Sequence, residues 1–159
     1  TREAMAHVGA GLPELADAIA DDYRARRDAG LTLFPRSIET LDAVRARGLR
    51  TALITNGGAQ MQRDKVVRFE LERWIDCFVI EGEFGAGKPD ERVFRHALAA
   101  CDVHPDEAWM VGDNLEADIA TPHRLGLHTV WVNASDGGLP PDAPITPHRT
   151  IRSIGELLA

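Results

Sequence analysis

Four short apolar runs, spaced by helical patterns, limit what this chain can fold into more than any other feature. Thr51-Ala52-Leu53-Ile54-Thr55, Phe78-Val79-Ile80, Ala108 to Val111 and His128 to Val132 read as strands. The first is so continuously apolar that it is expected to be buried on both faces. Helical stretches lie between them, over about 59–70, over about 91–101 and after the third strand. The 91–101 stretch gathers Val93, Phe94, Ala97, Leu98 and Cys101 on one face, and Asp90 stands where it can cap the helix. Alternation from residue 36 onward implies a layered α/β fold with a mainly parallel sheet. Right-handed crossovers then bring the C-terminal ends of the strands to one edge. Ligands of open α/β sheets bind along that edge, and both Thr55 and Asp113 fall at such ends.

The remaining segments are less constrained. Leu12, Leu15, Ile19 and Tyr23 mark a one-sided helix over 12–28, with Pro13 near its start and Gly30 after its end. A short helix is expected over 3–9. A further helix is expected from Pro35 to Gly48, with Ile38, Leu41 and Val44 facing inward. Pro122 cannot sit inside a helix running on from Asp118 without removing a ladder bond; Thr121-Pro122 can instead restart a new one. Residues 134–148, rich in Pro, Gly and Asp, read as a loop. That loop is equally compatible with flanking an active site and with plain surface. Residues 153–159 close as a short helix.

A length of 159 residues suits one domain, or a core with a small appendage. The formal net charge of −7 argues against a broad surface for nucleic acid or anionic membrane. No apolar run approaches the roughly 20 residues that span a bilayer. Cys77 and Cys101 have neither zinc-site spacing nor the density of a disulfide framework, and the first residues lack a signal-peptide layout, so a cytoplasmic setting is expected. The six histidines show no pair at helical metal-ligand spacing. Lys65 and Lys88 are the only lysines among 18 basic residues. A lysine kept between Gly87 and Pro89 is therefore of interest, because arginine does not reproduce its compact charge.

Three signals in that order could carry chemistry. Thr55-Asn56-Gly57 puts a hydroxyl and backbone N–H groups at a strand-to-helix turn, a cradle for an anion or merely a turn. Lys88, in Gly85-Ala86-Gly87-Lys88-Pro89-Asp90, could neutralise charge developing on a transferred phosphoryl group, or simply be solvated. Gly112-Asp113-Asn114 delivers a carboxylate at a strand end, with Asp118 five residues on. Such acids suit Mg²⁺, which takes few carboxylates plus waters and phosphate oxygens; Asp113 or Asn114 could equally cap the next helix. Asp118 is expected to orient its neighbours rather than bind metal.

Together these residues resemble the haloacid dehalogenase-like superfamily of hydrolases, most of which are phosphatases. The likeness rests on Leu53-Ile54-Thr55-Asn56-Gly57, Gly87-Lys88-Pro89-Asp90 and Val111-Gly112-Asp113-Asn114 through Asp118, and covers residues 35–133. It implies a Rossmann-like three-layer core over 34–159, the C-terminal part of a helical cap over 1–33, and Mg²⁺ as cofactor. Thr55, Asn56 and Gly57 would then bind phosphate together with Lys88. Lys88 would also balance charge, Asp113 would ligate the metal, and Asp118 would support that site. The family's first motif, two aspartates one residue apart at the end of a central strand, has no counterpart here. Asp21-Asp22 lies in a helical pattern and follows no apolar strand. The first of that pair is the family's nucleophile, so the 159 residues alone are expected to be inactive. Three arrangements would fit: an upstream segment of the parent protein supplies the strand, a second chain fills the gap, or the strands ending at Thr55 and Asp113 pair directly.

The leading expectation is an Mg²⁺-dependent phosphatase acting on a small phosphorylated metabolite through an aspartyl-phosphate. A 2-haloacid dehalogenase uses the same ester chemistry without metal and is the alternative enzyme. A non-catalytic binding module on a decayed hydrolase scaffold is the alternative from another class. A phospho-acceptor signalling domain places its acids before the Thr and Lys, whereas Asp113 comes last. The substrate and the oligomeric state, a homo-oligomer included, are not set by the sequence.

Overall fold

The protein, seen in a computed structural model, is described at residues 13–135 and 137–158. The expected helix over 3–9, and Leu12, lie outside these residues. Two compact units divide between Leu33 and Phe34.

The first unit contains helix α1 (Pro13–Ala29). Pro13 opens it, where a missing N–H costs no intrahelical bond. Leu15, Ile19 and Tyr23 repeat at a spacing of four and are exposed.

The second unit begins with α2 (Ser37–Ala46). Its start is two residues later than Pro35, because Arg36 takes a left-handed conformation with φ 63. Gly48 ends the turn with φ 71, a conformation glycine adopts without a Cβ penalty. Thr40 is the buried residue of this helix, its Oγ1 donating to Arg36 O at 2.7 Å; Ile38, Leu41 and Val44 are only half-buried.

The strands and helices then alternate: β1 (Ala52–Thr55), α3 (Ala59–Arg68), β2 (Cys77–Ile80), the single turn α4 (Glu81–Phe84) and α5 (Glu91–Cys101). They continue with β3 (Trp109–Gly112), a π-helical turn over Leu115–Ala120, α6 (Thr121–Arg124), β4 (His128–Val132) and β5 (Arg149–Ile151). A 3₁₀ turn, Ile154–Leu158, stands where the terminal helix is expected. Pro122 falls in the first turn of α6, but α6 continues from the π-helical turn without a break, since Ala120 and Thr121 both keep helical angles; the expected restart is a change of pitch.

All strand pairs are parallel, but they form two sheets rather than one. β1 pairs with β2, with Thr55 opposite Ile80; β3 pairs with β4, and β4 with β5. β1 and β3 therefore do not pair directly, which removes one of the three arrangements that would fit the sequence. Each keeps one edge without a strand partner among the described residues. This corrects the expected burial of β1: Ala52 is exposed and Leu53 to Thr55 are half-buried. β3 has the same pattern, whereas β4, paired on both sides, buries Thr129, Val130 and Trp131.

Helix α5 holds the two sheets together. Val93, Phe94 and Ala97 form one cluster with Val79 of β2, and Ile54 of β1 and Met110 of β3 pack against it. Asp90 caps the helix through Oδ1, which accepts from Arg92 N at 2.9 Å. The Arg92 side chain and backbone N–H hold the Asp90 carboxyl at about 2, below the ordinary 3.8. Its contribution is therefore full above pH 3.8 and is lost as pH falls toward 2. Asp90→Ala should lower the midpoint of thermal unfolding by about 2–4 °C at pH 7. The gap between variant and parent melting curves should narrow as pH is lowered through that window.

Candidate active site

The three sequence signals meet at the C-terminal ends of β1 and β3. Lys88 is the link. Its Nζ lies 2.7 Å from Asp118 Oδ1, and its side chain is only 16% exposed, which rules out a solvated turn lysine. Its backbone is held by Asn56: Lys88 N donates to Asn56 Oδ1 at 2.7 Å, and Asn56 Nδ2 donates to Lys88 O at 2.8 Å. The Lys88–Pro89 peptide bond is cis. A continuous chain of polar contacts, Asn56 to Lys88 to Asp118, thus joins the ends of two sheets that share no backbone bond.

Asp118 is buried, at 3% exposure. Its Oδ2 accepts from Asn114 N at 3.0 Å, while Oδ1 has only the Lys88 ammonium. Both oxygens are thereby engaged, one by the Lys88 ammonium and the other by the Asn114 N–H. Asn114 is the residue that caps the π-helical turn, its Oδ1 accepting from Glu116 N at 3.1 Å and Ala117 N at 2.8 Å. Asp113 is thus relieved of capping and has an exposed side chain. Its carbonyl accepts from Trp131 Nε1 at 2.9 Å, which fixes its backbone against β4.

Thr55 and Asp113 adjoin this chain through their neighbours Asn56 and Asn114. No hydrogen bond or ion pair joins either to Lys88 among the described residues. Thr55 Oγ1 has Asn56 O at 3.5 Å, too long to hold the hydroxyl in place. Gly57 behaves differently from an open anion cradle: its N–H donates to Glu81 Oε2 at 2.7 Å. Sequence reading missed Glu81. The available signal was its position, one residue beyond the end of β2 on the same edge as Thr55. Nearby, Arg63 grips Glu83 through two bonds of 2.6 Å each, tying α3 to α4 and holding the Glu83 carboxyl below its ordinary range.

A cleft of about 720 Å³ opens beside Asp113, bounded also by Glu116, Arg124, Trp131 and the Pro140–Pro144 part of the long loop. The loop thus walls a cleft that includes a candidate site residue.

Among the described residues no group of three His, Cys, Asp or Glu side chains converges as a metal cage. The donor chemistry still fits Mg²⁺. That ion is bound through one or two carboxylates and keeps several waters, and Asp113 offers one uncommitted carboxylate. No helix of the described residues is long and apolar enough to cross a membrane.

Known proteins resemble this chain in sequence and in fold. A family model described as haloacid dehalogenase-like hydrolase matches residues 3–126. A phosphoserine phosphatase of Thermus thermophilus is 43% identical over 144 residues, covering 90% of this chain and 55% of that protein. The crystal structure of an HAD phosphatase from Thermococcus onnurineus superposes with a TM-score of 0.71 at 28% identity, covering 79% of this chain and 56% of the other. A 2-haloacid dehalogenase from Pseudomonas syringae gives a TM-score of 0.71 at 29% identity, covering 81% and 53%. The chain spans about half the length of these relatives. The family match over residues 3–126, with a relative 43% identical over 144 residues, makes this chain a member of the haloacid dehalogenase-like hydrolases.

Proposed function

We propose that the intact protein is an Mg²⁺-dependent phosphatase that hydrolyses a small phosphorylated metabolite in the cytoplasm. The observation that carries this reading is Lys88, held between Asn56 and Asp118, with the exposed Asp113 five residues before Asp118 at the end of β3. A cation on the turn before α5 and a carboxylate at the end of β3 suit a phosphoryl group and a hard metal ion. Thr55 Oγ1, without a firm partner, would donate to a phosphoryl oxygen, as would Asn56 N–H. Gly57 N–H could join them only after leaving Glu81. Lys88 would neutralise the charge that builds as the ester bond breaks. Asp113 would hold Mg²⁺, which when bound polarises the phosphoryl oxygens.

The nucleophile is proposed to come from a strand of the intact protein lying between β1 and β3 and ending in two aspartates one residue apart. Support comes from the unpaired edges of both strands and from their incomplete burial. Unpaired backbone groups are costly where water is excluded, and one parallel strand would satisfy both edges. The likeness to a phosphoserine phosphatase supports a phosphomonoester as the substrate class.

The dehalogenase likeness supports a second reading, release of halide from a 2-haloacid without metal. One experiment separates the two. The intact protein, stripped with a chelator, should lose turnover of p-nitrophenyl phosphate and regain it with Mg²⁺. Halide release from 2-chloropropionate that persists in the chelator, with no phosphatase activity, would replace the first reading with the second.

A further inference from the structure

Lys88 is a flexible four-carbon side chain on a half-buried turn, so its stem alone does not fix where its charge lies. Two things do: the ion pair with Asp118 at one end, and the grip of Asn56 on its backbone at the other. The Asn56 side chain meets both polar groups of the same residue, its oxygen facing the Lys88 N–H and its nitrogen facing the Lys88 carbonyl. A neutral amide carries both the donor and the acceptor this requires, whereas an ionised carboxylate has no donor. The local packing is built around it. A Cβ on Gly87 would fall 2.8 Å from Asn56 Oδ1, so this approach requires glycine there. Buried Gln62 fixes the other side, its Nε2 donating to Asn56 O at 2.9 Å.

We propose that Asn56, through its side-chain amide, is the positioning residue for Lys88: it locks the turn so that the ammonium meets the phosphoryl group across the gap between the two sheets. This rests on the phosphatase reading above. It adds a role for the side chain to the phosphate contact expected from the Asn56 backbone. Small displacements of a catalytic group cost as much as a hundredfold in rate, so a loosened turn should show mainly in turnover.

The test is a double-mutant cycle in the intact protein with p-nitrophenyl phosphate and Mg²⁺. Asn56→Ala should lower kcat by about ten- to a hundredfold with KM changed less than about threefold. In a Lys88→Ala background the same change should cost less than about twofold, because the group it positions is gone. A merely structural role would cost the same factor in both backgrounds, and that result would overturn the proposal. So would a kcat within twofold of the parent while Lys88→Ala is severely impaired. If Lys88→Ala itself is harmless, the clamp has no catalytic group to position and the proposal falls while the phosphatase reading stands; a parent with no Mg²⁺-dependent turnover sinks that reading instead. Should Asn56→Ala not fold, Asn56→Asp keeps the size and the acceptor but loses the donor. It should be folded and about tenfold slower, and parent-like turnover would overturn the proposal.

Discussion

Lys88→Ala in the intact protein is expected to lower kcat by about a hundred- to a thousandfold, the usual cost of removing one group that stabilises transition-state charge. The side chain has two tasks, and both are lost. One is to neutralise the phosphoryl oxygens. The other is to partner Asp118, which is buried and whose Oδ1 has no other partner. An unpaired buried carboxylate destabilises the fold by about 3–5 kcal/mol when its partner is cut away, though the 16% exposure of Lys88 lets water offset part of this. The variant should therefore be slower and also melt earlier. Lys88→Arg separates the two effects. A guanidinium can stay near Asp118 and recover stability, but its planar fork does not reproduce a compact charge at the reaction centre. Lys88→Arg should thus melt close to the parent and remain at least about tenfold slow. Steady-state kinetics alongside thermal unfolding reads both. Turnover in Lys88→Ala within threefold of the parent would remove lysine from the chemistry and leave it a structural ion pair.

What the sequence made legible follows from how local each signal is. The inward stripe of α5 is set by spacing within 11 residues, and Val93, Phe94, Ala97 and Cys101 are buried as that spacing requires. The Thr and Asp signals were legible because each sits at the end of its own apolar run, and Lys88 because it stands in a Gly-rich turn ahead of a proline and a capped helix. The burial of β1 was not legible, since it depends on what pairs with its second edge rather than on its own residues. β5 escaped notice because Arg149-Thr150-Ile151 is three residues long, two of them exposed, and follows a Pro-rich loop. The Asn56 clamp could not be read either: its partner is 32 residues away, and nothing in an Asn-Gly pair announces which backbone its amide will meet. Glu81 is an intermediate case, visible as a carboxylate at a strand end but not as the partner of Gly57 N–H.

Gly112→Ala should be the most destabilising single-methyl change in the site, by about 3 kcal/mol or more. Gly112 does not have the positive φ that would demand glycine on conformational grounds. The demand is spatial. A Cβ there would lie 2.5 Å from both Cγ and Oδ2 of Asp118, closer than non-bonded atoms can approach. Asp118 cannot swing aside cheaply: Oδ1 is 2.7 Å from Lys88 Nζ, Oδ2 accepts from Asn114 N, and its own N–H donates to Asn114 O at 2.7 Å. Either β3 moves away from the π-helical turn, or the carboxylate leaves Lys88, and both outcomes break the link between the two sheets. Gly85 is the useful contrast. It has φ 82, and an added methyl would meet nothing within 4 Å, so Gly85→Ala carries only the conformational cost, about 1–2 kcal/mol. Denaturant unfolding of the intact protein should therefore rank Gly112→Ala well below Gly85→Ala in stability. The same substitution should slow turnover, because Lys88 loses the anion that sets its reach. If Gly112→Ala unfolds within about 1 kcal/mol of the parent, Asp118 does not pack against β3 as described, and the anchor assigned to Lys88 lies elsewhere.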